Sequence, residues 1–221
     1  MTTEIRTLIK KEFLLEWRQK YALNGILLYL ISTVFVCYLS FRLRGNSIDP
    51  ITWNALFWII ILFTAVSSVA KSFMQEQEGR QLYYYSIANP QAIIISKTIY
   101  NALLMVVLSL AGFLAYSLVM DNPVLDHKLF MINIILASIG FSSVLTLVSG
   151  IAAKAGNNAT LMAILSFPVI IPMLLIVMKI SKNAMDGLEF SSSIDELLTL
   201  LAINMIVGTV SYILFPYLWR S

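Results

Sequence analysis

Charge is what this sequence has least of. Asp, Glu, Lys and Arg together make up 12% of its 221 residues, against 59% hydrophobic residues, and the mean hydropathy is +0.82. A water-soluble domain carries about twice that charged fraction, so the composition places the chain in a membrane. Cysteine is nearly absent as well. The single Cys37 excludes an internal disulfide and any CxxC pair, and its place inside an apolar run reads as a small buried residue. There is one histidine, His127, in "DNPVLDHK"; with no second ligand beside it, it reads as a solvated loop residue. No GxxxxGK[ST] is present, which excludes ATP binding by a P-loop, and HExxH and GxSxG are missing too. The apolar stretches hold almost no ionisable side chains at depth, which argues against a pump with its own proton relay.

What is present is long apolar runs. A helix needs about 20 apolar residues to cross roughly 30 Å of hydrocarbon. Six stretches qualify, at about 22–40, 52–70, 95–120, 129–152, 160–179 and 196–216. They are continuously apolar, unlike the alternating strands of a membrane barrel. The expected fold is therefore an all-α integral membrane protein forming one transmembrane domain over residues 1–221. Trp53 and Trp58 fall near the start of the second run, where tryptophan favours the interface, and are expected to be anchors. Pro168 and Pro172 in "SFPVIIPMLL" each remove a backbone donor and are expected to kink the fifth span. Asp195 and Glu196 suit the first turn of the sixth helix, with a serine near its cap.

The opening residues do not read as a signal peptide, because Glu4, Glu12 and Glu16 interrupt them. Residues 1–20 instead read as a helix lying on the membrane. Ile5, Ile9, Phe13 and Trp17 recur at four-residue spacing, with Leu8 beside them, and Lys10, Lys11, Arg6 and Arg18 offer charge to anionic headgroups. With the N-terminus inside, ten Lys and Arg residues fall inside (Arg6, Lys10, Lys11, Arg18, Lys20, Lys71, Arg80, Lys97, Lys154, Arg220) and five outside (Arg42, Arg44, Lys128, Lys179, Lys182). The positive-inside rule favours this orientation, and six spans then put both termini in the cytoplasm.

One cytoplasmic insert stands out. "FMQEQEGRQLYYYSIANP", residues 73–90, sets Glu76, Glu78 and Arg80 before a row of tyrosines and ends on Pro90. Loops do not survive in lipid, and tyrosine and arginine are favoured at docking surfaces. Gly79 weakens any helix there by about 1 kcal/mol relative to alanine. The segment reads as a coupling loop for a soluble partner.

At these residues the chain resembles a known group. "F-x-x-E-x-E-G", then Pro90 and Lys97, is similar to the cytoplasmic loop of ABC-2 type permeases, which have six spans, an interfacial N-terminal helix and ATPase subunits on separate chains or domains. Within that group it resembles the CcmB family, haem exporter protein B of cytochrome c maturation. That narrower resemblance is carried by "IKKEFLLEWRQK", by "SFMQEQEGRQLYYYSIANPQAIIISK" and by "SFPVIIPMLL". Ser96 stands where the family usually has glycine, and Tyr83, Tyr84 and Tyr85 partly replace a leucine-rich segment. The resemblance implies a non-catalytic membrane subunit of the bacterial inner membrane, acting as a homodimer with two copies of the ATPase CcmA and in contact with CcmC, CcmD and the haem chaperone CcmE. It implies ATP on the partner, haem as cargo, no cofactor held by this chain and no nucleic-acid partner. The residues meeting the ATPase would be Phe73, Glu76, Glu78, Gly79, Arg80, Tyr83, Pro90 and Lys97. An ABC-2 permease exporting a glycan, lipid or drug, and a membrane scaffold that transports nothing, are the alternative readings.

Overall fold

The computed structural model describes residues 1–18, 20–42, 48–69, 71–74, 89–155 and 159–220. All regular structure among them is helical. The elements are α1 (Thr2–Arg18), α2 (Lys20–Arg42), α3 (Pro50–Val69), the short α4 (Lys71–Met74), α5 (Pro90–Val119), α6 (His127–Lys154), α7 (Ala159–Met185), a 3-10 turn (Phe190–Ser193) and α8 (Ile194–Arg220). Six of these helices are long and apolar enough to cross a membrane: α2, α3, α5, α6, α7 and the last, which together with its 3-10 turn spans Phe190–Leu218. An even number of crossings puts both chain ends at one end of the bundle, called the terminal end below.

Local chemistry sets the helix limits. Pro50 and Pro90 open α3 and α5, where the fixed φ of proline fits and its missing N–H costs nothing. Asn89 is extended (φ −69°, ψ 129°), as the residue before a proline prefers. The third span thus begins five residues earlier than its apolar run. Asp126 caps α6, its Oδ1 accepting from the backbone N–H of Lys128 and Leu129 at 3.0 Å each. At the far end the chain turns through Asp121 (φ 52°) and Gly187 (φ 67°), and the N–H groups of Leu125 and Asp126 both donate to the Ala184 carbonyl, at 3.2 and 2.9 Å.

α6 is the central post. It packs against α3, α4, α5, α7 and α8, and 78% of its apolar window is buried, against 11% for α2 and for the last span. In lipid there is no hydrophobic drive between apolar helices, so small residues and interhelical hydrogen bonds hold a bundle. Gly140 shows the first device: a Cβ there would run into Met173 Cε of α7 and Asn204 Oδ1 of α8. Gly112 does the same for α5, where a Cβ would stand 3.1 Å from both Ile61 Cδ1 and Leu30 Cδ1. Towards the far end, Asn54 donates to the Met178 carbonyl at 2.9 Å, and Asn133 donates to Val177 O and Ser181 Oγ at 2.8 Å each.

Several expectations change. Trp53 and Trp58 are not interfacial anchors: both are fully buried. They pack with Phe57, Tyr116, Phe130 and Phe141; helix crossings, not lipid, supply their surroundings. Cys37 is half-buried rather than enclosed. His127 belongs to no loop; it is the first residue of α6, exposed, with Nε2 3.3 Å from Asn122 Nδ2. Pro168 and Pro172 both lie within α7, on its exposed side. Asp195 and Glu196 do occupy the first turn of α8, but the Ser193 hydroxyl before them accepts from Asn183 Nδ2 at 2.9 Å.

Candidate functional site

The insert is held at both edges, and its first edge is deeply built in. Residues 75–88, and with them Glu76, Glu78, Gly79, Arg80 and Tyr83, lie outside the described set. Phe73, on α4, is 1% exposed. Its ring packs on Phe215 of α8, centroids 5.3 Å apart, and its backbone N–H donates to Ser149 Oγ of α6 at 3.2 Å. Ile93 and Ile94 of α5 complete this small apolar cluster, and Leu8 of α1 packs against it. Gly150 makes room: a Cβ there would stand 3.1 Å from the Phe215 ring. Pro90, the other edge, starts α5. Beside it a cleft of about 490 Å³ opens between Asn89, Pro90 and Gln91 and the end of α8, at Tyr212, Ile213, Pro216 and Tyr217.

Lys97 joins these parts. It lies seven residues, about 10 Å, past Pro90 within α5, and is 2% exposed. A buried ammonium requires partners, and the described residues supply at least three. Nζ donates to the Ser72 carbonyl at 2.8 Å, lies 4.7 Å from the Phe73 ring centroid, and stands 3.4 Å from Glu12 Oε1 of α1. One turn deeper, Asn101 donates to Ser72 Oγ at 3.1 Å and to Thr146 Oγ1 of α6 at 2.8 Å.

α1 supplies the acidic side. Glu12 also pairs with Lys11 at 2.8 Å. Burial pushes the Glu12 carboxyl up, but Lys97 and then Lys11 overcome it and hold the group below the ordinary carboxylate value. Glu16 goes the other way: burial raises it and Glu12 adds to the rise, while the Tyr100 hydroxyl only partly offsets them. Phe13 meets Tyr100 edge-on with centroids 5.1 Å apart. The expected apolar stripe is therefore divided. Ile5 and Ile9 are half-buried, Phe13 is half exposed, Lys10 is exposed and Lys11 is half-buried; the Trp17 side chain lies outside the described set. The face turned to the bundle carries Leu8, Glu12 and Glu16.

Of the residues proposed from sequence, the structure brings together Phe73 and Lys97, with Pro90 two turns away on the same helix. Glu12, Ser72, Asn101, Ser149 and Phe215 were not anticipated. Glu12 had a signal: a lysine inside an apolar span calls for a counter-charge from the same membrane end, and α1 is one of the acidic segments at that end. Ser72, Ser149 and Phe215 had none, since only the packing of α4 selects them.

These polar groups bind one another across helices. The fold and this joint define a multi-pass α-helical membrane protein in which the buried Lys97 links helices. The family model described as CcmB protein matches residues 3–215, and the chain belongs to the CcmB family. It is a membrane component, not itself catalytic, of the haem-export ABC system of cytochrome c maturation. No curated protein matches the chain.

Proposed function

We propose that the chain is the membrane partner of a CcmA-type ATPase, two copies of each, in a bacterial inner membrane with both termini in the cytoplasm. CcmC, CcmD and CcmE complete the assembly. ATP is bound and hydrolysed on the partner, haem is the cargo of the system, and this chain holds no cofactor of its own. Its work is mechanical: hydrolysis on the partner moves the insert after Phe73, and the spans on either side carry that movement through the membrane. Between direct haem export and ATP-driven release of the haem-loaded chaperone, the second is preferred. The sequence lacks the paired histidines and tryptophan-rich haem segment that handling haem directly calls for.

The observation that supports this reading best is the Lys97 joint. A solvated connector needs no buried anchor, whereas here the insert begins at Phe73, clamped to α5, α6 and α8. A displacement of the insert is thereby passed to at least three helices. Glu78→Lys tests the reading. Truncating one member of a desolvated charge pair costs about 2–5 kcal/mol, and reversing the sign costs at least as much. The variant should insert normally yet lose ATPase co-purification or stimulated turnover, while Asp186→Lys at the far end leaves both unchanged. A Glu78→Lys protein that binds and stimulates like wild type would reduce the insert to a polar connector.

A further inference from the structure

The coupling reading concerns the insert, but the geometry points to a second arm. We infer that α1 is a transmitting element of the coupling and that Glu12 is its positioning residue, acting on the insert through Lys97; the inference rests on the coupling reading above.

One ammonium group joins the insert to α1. Lys97 Nζ touches Ser72 O and the Phe73 ring on the insert's side and Glu12 Oε1 on α1's side. Because all three meet a single buried cation, Ser72 and Phe73 cannot shift relative to α5 without changing the position of Nζ and so the pull on Glu12. The contact has a fixed direction as well. Tyr100 lies three residues after Lys97, on the same face of α5, and receives Phe13 edge-on. α1 is thus held at two successive levels of α5, with Leu8 on the Phe73 cluster as a third point. A helix that merely floats on the membrane surface needs none of these. Its charged side would face headgroups, whereas Glu12 is turned into the bundle with a side chain only 14% exposed.

An anchor and a transmitter make different demands on the pair. An anchor needs only shape and burial, and a buried ion pair can be replaced by apolar residues of similar volume without loss of stability. A transmitter needs the attraction that couples three groups through one charge. The double variant Glu12→Leu with Lys97→Met separates the two. It should insert, keep its thermal stability in detergent and retain the ATPase on co-purification, yet lose at least about fivefold in stimulated ATPase turnover, the low end of usual coupling factors, with a matching loss of mature c-type cytochrome. Where the double variant accumulates poorly, Glu12→Gln carries the test, since it keeps the shape and still accepts a hydrogen bond from Lys97; the same split between retained binding and lost turnover is expected. Wild-type turnover in either variant overturns the inference and leaves the pair an anchor. Parallel loss of ATPase binding and turnover also overturns it, because the pair would then serve docking. A wild-type protein that neither retains nor stimulates the ATPase removes the coupling reading itself, and this inference with it.

Discussion

Trp58 of α3 donates its indole N–H to Ser181 Oγ of α7 at 2.7 Å, and the same oxygen accepts from Asn133 of α6 at 2.8 Å. One hydroxyl therefore pins three helices near the far end of the bundle. Trp58→Phe keeps most of the volume and deletes the donor, while Ser181 keeps Asn133; the expected loss is about 1 kcal/mol. Trp58→Ala also opens a cavity in a fully enclosed site, for about 3–5 kcal/mol. Thermal unfolding in detergent should rank the two in that order. Equal losses would mean that the N–H, and not the volume of the ring, does all the holding.

Gly140→Ala tests the crossing of α6, α7 and α8. The new methyl would overlap Met173 Cε and Asn204 Oδ1. Met173 can swing aside, but Asn204 is held by its own bond to the Leu136 carbonyl at 3.0 Å. Overpacking of this kind costs about 1–3 kcal/mol. Gly208→Ala on α8 is the opposite case: nothing lies within 4 Å of a Cβ there, so it should be neutral or stabilising by up to about 1 kcal/mol from helix propensity. The melting temperature should fall in Gly140→Ala and stay level or rise in Gly208→Ala.

The docking of α1 should depend on pH with a sign that the two carboxyls set in opposite ways. Glu12 titrates below its ordinary value of 4.5 in the folded state, so its contribution is fully present above that value and is lost as pH falls through the folded one. Glu16 titrates above 4.5, so its burial is easiest below that value and becomes a cost as pH rises through the folded one. Hydrogen exchange over residues 2–18 should show weakening protection on acidification below about 4.5 in the wild type. In Glu12→Gln that acid-side loss should disappear.

The proposed orientation can be checked by labelling. In a background with Cys37→Ala, a cysteine placed at Ser47 or Asp186 should react with an impermeant thiol reagent from outside intact cells. One placed at Glu78 should react only after the membrane is opened. Reversed labelling would place the ATPase on the wrong side and end the coupling reading.

Fold class was legible in the sequence because it rests on a one-dimensional quantity. Six apolar runs longer than a bilayer is thick leave helices as the only way to satisfy the backbone, and Pro50, Pro90 and Asp126 mark helix starts by chemistry confined to a few residues. The insert was legible too, since charge and tyrosine between two apolar runs contrast with everything around them. Phe73 and Lys97 could be nominated only from the resemblance of this loop to the cytoplasmic loop of ABC-2 type permeases.

What the sequence could not carry is which face of each helix meets which neighbour. Trp53 and Trp58 have the composition of interfacial anchors, and only the crossing of α3 with α5, α6 and α7 buries them. In lipid this ambiguity is at its greatest, because apolar residues line both the interior and the membrane face, and no hydrophobic contrast tells the two apart. Glu12 illustrates the same point at the joint. By itself it is one acid on a surface helix; its role depends on α1 being laid against the first three turns of α5, so that a carboxylate 85 positions earlier in the chain meets the only described lysine whose burial is nearly complete. Sequence determined the spans, their ends and the unusual insert. Tertiary structure alone decided the partners of Lys97, because a buried charge takes its counter-charge from whatever the packing brings within reach.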